Sequence, residues 1–490
     1  MTGIWNDARA RWAAAAVALF AFLWRVYPFW RHGAFGVATD YDEGVYFSAA
    51  SLLLQGELPY RDFTFVHPPG LIAFLSLTSA WATHPFGPEV GFTLARWVAA
   101  LVAAVNVLLV FRLTERWTGA AGGLVAAALY ATYPELVIVE RGPFLEPVLN
   151  LACLSMAAAL QKAESLESAG HQRWLLVAGV LGGLAVTVKV WAVFWVLGGA
   201  FAVLVRSPRG VVRFLLGVGL GAAVVVLPFV LAAPARFFTE TLLFHLWRPP
   251  DGTPERLPRL GQIIAKRHLA SPLLALACLG FFALRRGPKV NVLFATAYVL
   301  LLAAFLASAA YWNQYNAHLI AAEAVLAGGF AGWILMHPRL RLLLALPAVA
   351  SLSFSVRASA RLHGAPPSKK LTEAVRRHVP QDACLFAFEP AWGLAAGRLP
   401  SRAPEGPLVV DSYARMLLSA VEGGERFSHA QAAFESLQSQ REVKALLHAC
   451  RFAAVGDRGR WQLSPESRRW LETSFQEVEP GSDVWRRLTP

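Results

Sequence analysis

Long uncharged apolar runs alternate along the chain with short connectors rich in Arg and Lys. A bilayer crossing needs about 20 mostly apolar residues. Eleven segments approach that requirement: 11–30, 91–111, 120–138, 143–160, 173–188, 190–205, 211–233, 270–284, 290–309, 317–335 and 340–357. Basic residues occupy every second connector: Arg9 and Arg11, Arg112 and Arg116, Lys162 and Arg173, Arg206, Arg209 and Arg213, Arg285, Arg286 and Lys289, and Arg339 and Arg341. Cytoplasmic connectors carry such an excess, so the N-terminus is expected inside. An odd number of spans then puts the C-terminus outside. The outer face receives 31–90, 139–142, the turn near Lys189, 234–269, 310–316 and everything after 358.

One apolar stretch, Leu71–Ala82, is too short to cross. Pro68 and Pro69 stand where prolines start helices, so it is expected as a juxtamembrane helix in the first outer loop. The tail, 366–490, is polar and follows the break at Pro366-Pro367. Its strand-like runs Cys384–Phe388, Leu408–Val410 and Phe452–Val455 alternate with helical stretches such as Ala430–Ala449, the pattern of a small α/β domain. The expected organisation is therefore a polytopic α-helical membrane domain over 1–365 and an extracytoplasmic α/β domain over 366–490.

Composition supports this division. Of 490 residues, 56% are hydrophobic and only 16% charged, with a net charge of +13. Soluble domains carry about 25% charged residues, so a soluble multidomain enzyme and a disordered scaffold are excluded. The positive charge reflects cytoplasmic Lys and Arg and sites for anionic lipid groups, not nucleic acid. The N-terminal run continues past Arg25 to Trp30 with no small-x-small cleavage site at its end, and is read as a retained first span. Four cysteines make no disulfide framework. Cys153 and Cys278 fall in spans as packing residues. Cys384 and Cys450 are expected as buried thiols, with a disulfide between them as the alternative.

The densest chemistry follows the first span: Asp40-Tyr41-Asp42-Glu43-Gly44-Val45-Tyr46, then Gly56, Pro59-Tyr60-Arg61-Asp62 and His67-Pro68-Pro69-Gly70. Carboxylates at a hydrophobic interface are partly desolvated, which poises them for proton transfer. Asp40 suits a helix N-cap; Asp42 is the candidate base. Elsewhere, Lys189 ends a Gly-rich span, where an ammonium needs a partner or must snorkel. The loop 234–269 places His245, Arg248, Arg256, Arg259, Lys266, Arg267 and His268 on the outer face, suited to an anionic group. Lys266 and Arg267 are its best candidates.

The order of first span, Asp42-Glu43-x-x-Tyr46, Pro59-Tyr60-Arg61-Asp62, His67-Pro68-Pro69-Gly70, short helix and second span resembles the GT-C class of membrane glycosyltransferases. Within it, the chain is similar to the protein O-mannosyltransferase and aminoarabinose-transferase group. The resemblance implies a GT-C-like fold of about 11 transmembrane helices, a polyprenyl-phosphate-linked sugar donor and a hydroxyl-bearing acceptor (protein, lipid or envelope glycan). It implies Asp42 as general base, with Glu43 orienting the acceptor or tuning Asp42. Arg141 and Glu146 match the family's Arg and acidic residue at the fourth span, where members often have Asp. Gly182-Gly183-Leu184-Ala185-Val186-Thr187-Val188-Lys189 matches its Gly-rich span, and Tyr311-Trp312-Asn313-Gln314-Tyr315 its aromatic segment, with Tyr311 and Tyr315 suited to stacking on a sugar. Tyr46, Arg61, Asp62 and His67 complete the substrate-binding candidates. His67 with Glu43 or Asp62 could ligate a divalent metal, although no motif requires one. The implied location is the cell membrane (plasma or inner), crossed many times. A transporter or lipid flippase, or a non-catalytic polysaccharide-assembly subunit, are the competing readings. Charges gathered on loops rather than at mid-span disfavour transport.

Overall fold

The structure, a computed structural model, describes residues 7–33, 37–253, 255–264, 271, 274–279, 291–340, 349–350, 352–358, 360, 369–403, 406–422 and 424–488. The apolar runs form the helices α1 (Asp7–His32), α2 (Tyr41–Leu53), α3 (Gly70–Thr78), α4 (Pro88–Thr132), α5 (Leu145–Glu164), α6 (Ser168–Val188), α7 (Val193–Arg206), α8 (Pro208–Ala232), α9 (Asn291–Ala307) and α10 (Asn316–Leu335). Among the described residues, five helices are long and apolar enough to cross a membrane, and α7 and α9 are shorter apolar helices. Gly119 breaks α4 with φ 81° and ψ 177°, a conformation open to glycine; the break separates the expected spans 91–111 and 120–138. Most of the expected span 270–284 and about half of 340–357 lie outside the described residues.

Two compact units divide the chain. The first comprises Met1–Pro28, Ala99–Leu227 and Glu255–Ala365. Within it, α6 and α8 approach through paired glycines. A Cβ on Gly179 would lie 2.0 Å from the Phe214 carbonyl oxygen, and one on Gly183 would lie 2.2 Å from that of Val218. Gly217 and Gly221 answer from α8, meeting the carbonyls of Leu176 and Val180. Small residues four apart let helix backbones touch where lipid supplies no hydrophobic drive. The Gly-rich span before Lys189 is thus explained by packing.

The second unit gathers Phe29–Val98, Pro228–Pro254 and Pro366–Pro490. The first outer loop therefore groups by contacts with the tail, a different partition from the expected division at 365. Leu71–Ala82 is helical as expected over α3, followed by a turn of 3-10 helix at Ala80–Ala82. Among its described residues the tail holds four strands, β1 (Leu385–Ala387), β2 (Phe452–Ala454), β3 (Phe475–Glu477) and β4 (Val484–Arg487), in the order β1-β2-β4-β3. β1 and β2 pair in parallel, and the rest antiparallel. Phe388, Leu417, Phe434, Leu447 and Phe475 lie in its core.

Three expectations for the tail are corrected. Leu408–Val410 forms no strand; it leads into the helix Ser412–Val421, capped by the Asp411 carboxylate. The stretch Ala430–Ala449 divides at Ser436, whose hydroxyl caps the second helix, Leu437–Ala449. Cys384 and Cys450 form a disulfide, Cα–Cα 5.0 Å, joining the residue before β1 to the end of that helix. The disulfide, the alternative to two buried thiols, bridges cysteines 66 residues apart in sequence.

Candidate active site

In the second unit, the acidic motif builds the start of α2. Asp40 is the N-cap, and its carboxylate accepts a hydrogen bond from the Asp42 amide at 2.9 Å. Glu43 closes the capping box: its Oε1 accepts from the amides of Thr39 (2.9 Å) and Asp40 (3.2 Å) and from the Thr39 hydroxyl (2.7 Å). The same carboxylate receives the Arg96 guanidinium in two contacts, Nη2 to Oε1 at 2.5 Å and Nε to Oε2 at 3.2 Å. Both side chains are wholly buried. Arg96 also donates to the Val37 carbonyl and lies against the rings of Phe92 and Phe29.

Glu43 is thus saturated with internal donors and closed to solvent, which makes it a group that positions the turn. Asp42, the next residue back, is half-buried in the first helical turn, where the backbone dipole favours negative charge.

The tail contributes residues that sequence reasoning missed. Glu389 lies within electrostatic reach of Asp42 and Glu43, and burial followed by those two carboxylates pushes its pKa up to about 7 against the opposing Arg458. Arg458 stands 3.7 Å from Glu389 and covers the Tyr41 ring at 4.0 Å. The Tyr41 hydroxyl donates to Asp411 at 2.7 Å and accepts from the Tyr413 amide. Burial first, then the charges of Asp42, Glu43 and Glu389, raise Asp40 to about 8. Gly44 makes this docking possible: a Cβ there would lie 2.3 Å from the Ala391 amide nitrogen. No local signal links these segments, although Gly44 inside the motif marks a close approach.

The next motif is mainly architectural. Tyr60 takes φ 67°, is wholly buried against Phe65 and Phe237, and donates to the His67 carbonyl at 2.5 Å. Asp62 accepts from the Leu58 amide and pairs with the half-exposed Arg61 at 2.7 Å. Arg61 and Asp62 hold each other in a turn, whereas Tyr46 and His67 meet with ring centroids 5.6 Å apart. His245 joins them, 5.6 Å from His67, with its Nε2 at 2.8 Å from the Val66 carbonyl. Glu240 accepts the Phe65 amide at 2.8 Å, and burial lifts its pKa to about 7. Among the described residues, no three His, Cys, Asp or Glu side chains are grouped to hold a metal ion.

In the first unit, Lys189 finds a partner. Its ammonium contacts Glu146 Oε1 at 2.7 Å and sits 4.4 Å from the centroid of the Tyr315 ring. Tyr311 packs edge-on against Tyr315 and donates to Asn316 at 2.6 Å, with Arg259 stationed 5.6 Å from the Tyr311 ring centre. Glu146, Lys189, Tyr311 and Tyr315 therefore form one group, with Arg141 half-buried in the turn before α5. Lys266 and Arg267 lie outside the described residues. A second buried pair, Arg25 Nε to Glu140 Oε2 at 2.9 Å, is supported by the Tyr130 hydroxyl.

Residues 67–233 match the family model of dolichyl-phosphate-mannose-protein mannosyltransferase. ArnT from Cupriavidus metallidurans, in its structure with undecaprenyl phosphate, superposes with a TM-score of 0.66 at 14% identity, covering 98% of each chain. The chain has the fold of the GT-C membrane glycosyltransferases. The Archaeoglobus fulgidus oligosaccharyltransferase shares this GT-C fold at TM-score 0.63 and 11% identity, over 91% of this chain and 69% of its own. A Danio rerio relative, the catalytic subunit of GPI alpha-1,4-mannosyltransferase I, is 29% identical over 222 residues, 43% of this chain. This chain spans about half the length of that relative, 52%. The sequence match over residues 67–233 is thus to a mannosyltransferase family model, and the fold is the one shared with ArnT.

Proposed function

We propose that the protein transfers a sugar from a polyprenyl-phosphate donor to a hydroxyl acceptor on the outer face of the membrane, with inversion at the anomeric carbon. The observation that carries the reading is the setting of Asp42. It is a first-turn carboxylate on a backbone locked by the Glu43–Arg96 pair, surrounded by other acids and partly open. Asp42 takes the proton of the acceptor hydroxyl as that oxygen bonds to C1. The bond from C1 to the phosphate oxygen breaks, and polyprenyl phosphate leaves with the electron pair. A positioned general base contributes about 10²–10⁴-fold.

A lipid-phosphate donor is supported by the matched family's name and by the undecaprenyl phosphate bound to ArnT. Lys189, released from Glu146, is the candidate to offset charge on the departing phosphate, with Arg141, Lys266 and Arg267 as further cations. Tyr311 and Tyr315 offer faces to a sugar ring, and Tyr46 and His67 polar groups to the acceptor. The disulfide Cys384–Cys450 supports an oxidising, extracytoplasmic compartment for 366–490, with the N-terminus cytoplasmic.

The test uses purified protein in detergent with short-chain polyprenyl-phosphate sugars, comparing wild type with Asp42→Asn. Transfer or donor hydrolysis that disappears in a folded variant supports the reading. Undiminished turnover in Asp42→Asn overturns Asp42 as the base.

A further inference from the structure

The second unit contains a cleft of about 360 Å³ that the proposed reaction does not use, at the lower end of the roughly 300–1,000 Å³ typical of small-ligand sites. Its polar rim includes Gln55, His84, Gln381 and Asp382, and Phe386 and Leu446 supply apolar surface. Amide, imidazole and carboxylate groups around an apolar floor suit a hydroxylated ring, which needs both hydrogen-bond partners and a flat non-polar contact.

Arg398 adds a charge requirement. It lines the cleft and is only 8% exposed, and the carboxylate whose charge reaches it is Asp382 on the same rim. Its Nη atoms donate to the carbonyls of Val379, Gln381 and Ala383, while its Nε has no partner. Neutral carbonyls orient a guanidinium without cancelling its charge, and a buried charge is costly unless paired. The rim carboxylate, Asp382, is exposed and suited to accepting from sugar hydroxyls.

We propose that this cleft is a saccharide subsite for a carboxylate-bearing sugar, a hexuronate unit, whose carboxylate is held by Arg398. As a place where the acceptor glycan is gripped away from the acidic motif, it rests on the glycosyltransferase reading. As a binding site it does not, and binding is measured without turnover.

The experiment titrates the full-length protein in detergent, by calorimetry, with methyl β-D-glucuronide, methyl β-D-glucoside and inorganic phosphate. The glucuronide is expected to bind at least about tenfold more tightly than the glucoside, the scale of one charge-assisted hydrogen bond. Arg398→Gln is expected to abolish that preference. Because Arg398 also ties three carbonyls, the exposed rim variant Ser401→Glu provides the second arm. Its added negative charge weakens the glucuronide selectively, leaving the glucoside unchanged. Equal binding of the two glycosides, binding indifferent to Ser401→Glu, phosphate binding without glucuronide binding, or no binding by folded protein would each overturn the proposal.

Discussion

Glu43 and Arg96 form a wholly buried ion pair that ties the acidic first turn of α2 to the N-terminal part of α4. Their charges are satisfied by each other, by the amides of Thr39 and Asp40 and by the Val37 carbonyl. Removing one member strands the other. Arg96→Leu or Glu43→Leu is expected to destabilise by about 3–5 kcal/mol, and the double variant by less than the sum. Thermal unfolding in detergent across the double-mutant cycle checks this; additive losses would contradict it.

Lys189 and Glu146 make a pair with unequal consequences. Under the proposed function, Lys189→Met weakens binding of a polyprenyl phosphate, whereas Glu146→Gln frees the ammonium and leaves that binding intact or tighter. Titration of both variants with a short-chain polyprenyl phosphate separates them, and equal weakening would count against Lys189 as the phosphate ligand.

Glu389 gives stability a pH dependence. Its folded pKa of about 7 lies above its ordinary value of 4.5, so the folded state holds the proton more tightly than the unfolded one. The sign follows: that contribution is complete below about 4.5 and is lost as pH rises through 7. Asp40, raised to about 8, acts in the same direction. Unfolding temperatures measured from pH 4.5 to 8 are expected to decline, and Glu389→Gln to flatten the decline up to 7.

Gly179 has no room for a methyl group, since the Phe214 carbonyl stands 2.0 Å from where it would be. Gly179→Ala should force α6 and α8 apart at a cost of about 1–3 kcal/mol. Gly219, on α8 with open space around its Cβ position, is the control, and Gly219→Ala should be neutral or stabilising by the same thermal assay.

Reduction of Cys384–Cys450 is expected to lower the stability of the second unit by about 2–4 kcal/mol. Cys384→Ala with Cys450→Ala should reproduce the shift and remove any further effect of dithiothreitol. A shift that persists in the double variant would mean the reductant acts elsewhere.

Much of the helical part was legible because a bilayer demands long apolar runs, and α1, α5, α6, α8 and α10 overlie such runs. The Asp40 cap was legible too, since an N-cap acts within one turn of chain; the part Glu43 plays in closing the capping box was not. The partners of these residues were not. Arg96 sits 53 residues beyond Glu43, inside an apolar helix, and no local pattern joins the two. Glu389 and Arg458 come from the tail, and nothing periodic connects them to Asp42. Strands β3 and β4 escaped for a different reason: Phe475–Glu477 and Val484–Arg487 mix charged and aromatic residues, so no apolar run announced them.

The contact of Gly44 with Ala391 also sets an order in time. These residues lie 347 positions apart (391 − 44). At synthesis rates of about 5–20 residues per second, the acidic turn leaves the ribosome roughly 20–70 s before the helix it packs against. Throughout that interval Asp42 exists without Glu389 or Arg458 beside it. The turn acquires its full electrostatic surroundings only once Arg458 has been made, so a nascent protein halted before the tail carries the motif but not its setting.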